Sequence, residues 1–111
     1  MTEQQLQAKC FIWHWNTFPE ERRMLFHADN NSANRIIGNQ KKSAGVVKGV
    51  SDLILICNGF TVYIEMKTET GVQSREQKEF AEKVRSRGHT YFVCRTFEEF
   101  VKIVKTAYGQ Q

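Results

Sequence analysis

Asn58–Gly59 stands between two apolar runs, SDLILIC (51–57) and FTVYIEMKT (60–68). An Asn-Gly pair in that setting is the strongest short-range signal for a β-hairpin. It constrains the fold more than any other feature, because it sets two strands, their antiparallel pairing and their register. The turn pairs Cys57 with Phe60, and counting outwards in step sets Asp52 opposite Glu65. Residues two apart on a strand share a face, so Glu65 and Lys67 point the same way while Ile64 and Met66 point the other.

Opposed residues on one face hold their Cβ atoms about 4.5–5.5 Å apart, and two like charges there destabilise the pair. Lys67 offsets part of that repulsion. A divalent cation explains the arrangement better, since Mg²⁺ takes a few carboxylates together with waters and an incoming phosphate. The Met66 carbonyl, between Glu65 and Lys67, is a further hard oxygen. An ion held there polarises a phosphodiester and lowers the pKa of bound water. Lys67 then orients that water, helps to deprotonate it, or offsets charge in the transition state. Taken singly, Asp52 could end a strand and Glu65–Lys67 could be a solvated ion pair. Their opposition on one face is what points to chemistry.

The remaining chain reads around this hairpin. Thr2 and Gln5 form a capping box for a helix reaching about Asn16, with Leu6, Cys10, Trp13 and Phe11 on its apolar side. MLFHA (24–28) is a short strand, DNNSANR (29–35) is turn-rich, and Ser32 caps a helix over roughly 33–43. KKSAGVVKGV (41–50) is a basic, glycine-punctuated loop. Ser74 and Gln77 form a second capping box, for a helix over 75–87 that ends at Gly88. TYFVCR (90–95) is a strand, and Thr96 with Glu99 caps a last helix that turns Phe97, Phe100, Val101 and Val104 inward. The unit 60–68, 75–87, 90–95 is a β-α-β crossover, which makes its strands parallel. The expected fold is α/β, a mixed sheet flanked by helices in the order αβββαβ plus a C-terminal helix.

A chain of 111 residues supports one core, so 1–111 is expected to be a single domain. The formal charge of +4 leans towards polyanionic partners. No stretch is apolar for long enough to span a membrane. MTEQQLQAKC lacks a signal pattern, and the expected location is cytoplasmic, in a bacterium or a phage-infected cell. Cys10, Cys57 and Cys94 are widely spaced without a Cys-x-x-Cys pair, which fits buried core residues better than disulfides or zinc. Trp13 and Trp15 straddle the first helix, one suited to the core and the other to a subunit interface. Lys78, Lys83, Arg85 and Arg87 read as a solvated helix face.

SDLILI…YIEMK resembles the Asp…Glu-x-Lys signature of the PD-(D/E)xK nuclease superfamily. More narrowly, FHADNN, KGVSDLILI and IEMKTETGVQSREQKEFAEKVRSRGH resemble the VRR-NUC family, over about residues 24–104. The extended block through QSREQ is more specific than the superfamily motif. Ser51 stands where the family has a proline before the aspartate.

The resemblance implies a restriction-endonuclease-like core in which Asp52, Glu65 and Lys67 are catalytic and Gln77 assists. It implies Mg²⁺ or Mn²⁺ held by Asp52, Glu65 and Met66, with Glu3 as the first-helix glutamate. Ser74 matches the start of the family's Ser-x-x-Gln helix. Phosphate contacts are expected from Ser74, His27, Lys41, Lys42 and Lys48, because positive charge positions a backbone without reading sequence. Short stand-alone members occur in phages and bacteria, so the resemblance further implies a homodimeric endonuclease that cuts branched DNA such as four-way junctions. A flap- or RNA-directed nuclease and a non-catalytic nucleic-acid-binding module are the alternatives.

Overall fold

The computed structural model describes residues 1–28, 40, 43–47 and 49–109. The expected helix over 33–43 lies mostly outside them, as do Lys41, Lys42 and Lys48. The elements run α1 (Glu3–Thr17), a 3₁₀ turn (Pro19–Glu21), β1 (Leu25–His27), β2 (Leu53–Ile56), β3 (Thr61–Met66), α2 (Arg75–Ser86), β4 (Thr90–Cys94) and α3 (Phe97–Gly109). Among the described residues this is the expected order, with β1, β2 and β3 a residue or two shorter at each end and β4 one residue shorter at its C-terminal end.

The sheet is mixed, in spatial order β1-β2-β3-β4. β1 pairs antiparallel with β2, and β2 antiparallel with β3 in the register Leu53↔Ile64 to Ile56↔Thr61. β3 and β4 run parallel, with Tyr63↔Tyr91 and Glu65↔Val93. The hairpin closes through Cys57 N–H to the Phe60 carbonyl at 3.0 Å, and Gly59 takes φ +84°.

The two faces of the sheet bury different things. Leu25, Leu53, Leu55, Val62, Ile64, Met66 and Cys94 pack with Leu6 and Cys10 of α1 and with Phe100, Val104 and Ala107 of α3. The alternate residues Tyr63, Tyr91 and Val93 pack with Phe80, Ala81 and Val84 of α2. Period-two alternation therefore carries Glu65 to the α2 face, between Tyr63 and the sheet end.

Helix starts follow the sequence closely. Thr2–Gln5 and Ser74–Gln77 are complete capping boxes. At α3, Thr96 Oγ1 accepts from Glu99 N–H at 3.1 Å, while the Glu99 carboxylate meets the Thr96 hydroxyl rather than its backbone N–H. α1 departs from its expected face. His14 is buried with Leu6 and Cys10, whereas Trp13 and Phe11 are half-buried. The reason lies in α3: the Tyr108 hydroxyl meets His14 Nε2 at 2.5 Å and gives the imidazole a polar partner inside the core. Trp13 packs edge-on against Phe18, Phe97 and Phe100. Trp15 is the exposed one, with Arg22 over its ring.

Candidate active site

Asp52 lies one step beyond the last β2–β3 ladder pair, so the observed register carries it opposite Glu65. Its side chain continues the ladder in place of its backbone, since Oδ2 accepts Met66 N–H at 2.7 Å. Its carbonyl accepts from Ala28 N–H at 2.9 Å and from His27 Nδ1 at 2.7 Å. A carbonyl only accepts, so Nδ1 carries the hydrogen and Nε2 of His27 is the nitrogen left to the solvent side. The β1 end thus braces the backbone that presents the carboxylate.

Glu65 is 1% exposed. The Tyr91 hydroxyl donates to its Oε1 at 2.5 Å. Oε2 is buried without a hydrogen-bond partner, and Lys67 Nζ stands 3.7 Å away. Lys67 follows β3 with its N–H bonded to the Cys94 carbonyl at 3.0 Å. It shares the Glu65 face, as strand alternation requires.

Burial pushes the Glu65 carboxyl above its ordinary range; the Tyr91 bond and Lys67 oppose the shift, and the charges of Asp52 and Glu3 add to it. Asp52 is raised as well, chiefly by burial, with the Met66 N–H opposing and Glu3 adding. The site is therefore short of positive charge. A buried carboxylate oxygen lacking a partner costs about 1–3 kcal/mol or more. Among the described residues, no three His, Cys, Asp or Glu side chains form a ready-made metal cluster. Glu3, in the first turn of α1, acts on both carboxylates through its charge without completing such a set. Two carboxylates, one with an orphaned oxygen, fit the Mg²⁺ pattern of few protein ligands and several waters.

Gln77 and Ser74 are engaged with each other, as Gln77 Oε1 accepts Ser74 N–H at 2.8 Å and Ser74 Oγ accepts Gln77 N–H at 3.1 Å. That leaves the Gln77 Nε2 as its remaining donor. Ser74 is exposed.

Four residues matter that the sequence did not single out. Gly49 (φ +87°) lies so close to the start of α2 that a Cβ would meet the Glu76 carbonyl oxygen at 2.4 Å. Its place in a glycine-punctuated run was the available signal. Arg95 Nη1 donates to the carbonyls of Thr68 (2.6 Å) and Gly71 (2.7 Å), pinning the turn that follows Lys67. Tyr91 adjoins Glu65 only because β4 pairs parallel with β3, and the half-buried Gln73, from the loop before α2, stands beside the Tyr91 hydroxyl; no local pattern sets either placement.

A family model for the VRR-NUC domain matches residues 1–98. A solved structure described as a VRR_NUC domain protein superposes with a TM-score of 0.76 at 18% identity, covering 96% of this chain and 88% of that one. At that identity the likeness speaks for the fold, which is restriction-endonuclease-like. No functionally curated protein matches the chain in sequence. With the family match spanning most of its length, the chain belongs to the VRR-NUC family and carries that family's nuclease-type domain.

Proposed function

We propose that the protein is a Mg²⁺- or Mn²⁺-dependent DNA endonuclease that hydrolyses phosphodiester bonds. The observation that carries this reading is the Glu65 carboxylate. It is buried, lacks a partner for Oε2, lies beside Lys67 and is set opposite Asp52 by the register. Asp52, Glu65 and the Met66 carbonyl would hold the ion, with Glu3 adding negative charge nearby. When bound, such an ion supplies Lewis-acid polarisation of the phosphate and a lowered pKa for coordinated water.

The chain's own residues do the rest. The Lys67 backbone is held by its bond to the Cys94 carbonyl, and its ammonium stands 3.7 Å from the Glu65 carboxylate. Its ammonium donates hydrogen bonds to the attacking water and to the phosphoryl oxygen that gains charge in the transition state. Gln77 Nε2 and Ser74, at the N-terminus of α2, offer further donors to a phosphate. His27 Nε2, the ring nitrogen not bonded to the Asp52 carbonyl, would donate to a backbone phosphate in the imidazolium form.

A homodimer acting on branched DNA is the finer reading. Ile12, Trp15, Met24 and Phe26 are large exposed apolar residues on α1 and around β1, and β1 is an outer strand of the sheet. Two-fold pairing would place two sites on two strands. The test is a panel of labelled substrates (four-way junction, flap, linear duplex, single-stranded DNA and RNA) in Mg²⁺, Mn²⁺ or EDTA, alongside sedimentation of the protein. Metal-dependent cutting of the junction by a dimer supports the reading. Preferred cutting of the flap or RNA transfers it to that substrate, and binding without cutting in every metal leaves a nucleic-acid-binding module.

A further inference from the structure

Tyr91 is one of the largest fully buried side chains, and it is held from several sides. Its ring meets Phe80 at 6.0 Å between centroids. The Arg85 guanidinium lies 5.9 Å from the ring centre and donates to the Tyr91 carbonyl at 2.8 Å. The hydroxyl therefore reaches Glu65 Oε1 from one fixed direction, at 2.5 Å. Beside that hydroxyl stands the Gln73 amide, whose Nε2 is itself buried without a hydrogen-bond partner of ordinary geometry. A short O–H···O⁻ bond engages charge on Oε1 and fixes the carboxylate plane. Oε2 is the oxygen left over, on the side of Lys67.

We propose that Tyr91 is a positioning residue that restricts Glu65 to offering Oε2 alone to the divalent ion, and thereby sets the site against Ca²⁺. The proposal rests on the nuclease reading above. Mg²⁺ demands near-octahedral geometry at short range, whereas Ca²⁺ is larger, tolerates irregular geometry and takes carboxylates through one oxygen or both. With Oε1 tied to a rigid hydroxyl, Glu65 suits the first pattern. Loss of the hydroxyl frees Oε1 for the second.

The experiment is calorimetric titration of the metal-free protein with Mg²⁺, Mn²⁺ and Ca²⁺, without DNA, for wild type, Asp52→Asn, Tyr91→Phe, Glu65→Gln and the double variant Tyr91→Phe/Glu65→Gln. The expected wild type binds Ca²⁺ no more tightly than Mg²⁺. Tyr91→Phe moves the affinity ratio towards Ca²⁺ by on the order of tenfold, the size typical of a lost outer partner of a metal ligand. Glu65→Gln itself weakens binding of all three ions, and in that background the same substitution moves neither Ca²⁺ nor Mg²⁺ binding. An unmoved ratio in Tyr91→Phe overturns the proposal, as does a shift that persists without the Glu65 carboxylate. Should Tyr91→Phe fail to fold by circular dichroism, the wild type decides alone, and tighter binding of Ca²⁺ than Mg²⁺ overturns it. Cation binding that Asp52→Asn abolishes but Tyr91→Phe leaves in proportion removes only the role of Tyr91. Absence of binding of all three ions to wild type removes the metal site as well.

Discussion

Glu65 occupies a place that a hydrocarbon would fill without electrostatic penalty. Its buried carboxylate keeps one oxygen for Tyr91 and leaves the other bare beside Lys67. On the proposed function Glu65 trades folding stability for metal binding, and the opposed Asp52, also raised by burial, does the same. Asp52→Asn removes one of two facing charges while an amide oxygen can still accept the Met66 N–H. It should raise the stability of the metal-free protein by on the order of 1 kcal/mol in urea unfolding with EDTA, and abolish both metal-induced stabilisation and cleavage; a less stable metal-free variant would contradict the account. His14 shows the opposite protonation logic. Burial against Tyr108 holds its imidazole below the ordinary 6.5, so the unfolded chain takes up a proton that the folded chain refuses. Its contribution is complete above about 6.5 and is lost as pH falls from there towards the folded value. Unfolding free energies measured across that window should slope downward towards acid in wild type, and the slope from this group should vanish in His14→Gln.

The elements carry the site to different degrees. The hairpin was legible because a two-residue turn fixes register outright, and with it the opposition of Asp52 and Glu65. Capping boxes announced α1 and α2, since a side chain that satisfies orphan N–H groups must sit at a set spacing. Ser74→Ala removes the acceptor for Gln77 N–H and should cost about 1 kcal/mol, within the 0.5–2 kcal/mol span of N-cap losses, readable by thermal unfolding. What escaped the sequence depends on contacts between elements. The parallel offset of β4 on β3, which brings Tyr91 to Glu65, is set by how α2 packs and not by a turn. The burial of His14 needs Tyr108 from the far end of the chain. Gly49 could be seen as a glycine but not as the point where the loop touches the first turn of α2. Gly49→Ala should lose about 1–3 kcal/mol from backbone strain alone, with more from the clash against Glu76, and cleavage should fall with it. An unchanged melting temperature would show that this contact does not hold the loop against α2.

At the scale of the molecule, the sheet separates an apolar side, covered by α1 and α3, from a smaller side under α2 where the charged residues lie. The acids gather at one end of β2 and β3, with the first turn of α1 close enough to act on them. The net charge of +4 favours a polyanion overall while the site itself is acidic, a combination that suits the proposed holding of DNA against a cation. In the described residues no helix is long and apolar enough to cross a membrane. On the proposed reading this acidic end is a metal-dependent catalytic site whose ligands and lysine have separable roles. The measurement that tests it most directly follows nicking of supercoiled circular DNA against Mg²⁺ concentration, with Mg²⁺ binding measured on the same preparations of wild type, Asp52→Asn and Lys67→Ala. Wild type is expected to nick in a metal-dependent manner, Asp52→Asn to neither bind nor nick, and Lys67→Ala to bind near-normally with nicking reduced at least about a hundredfold. Nicking that persists in EDTA, or that survives in both variants at the wild-type rate, would contradict that reading.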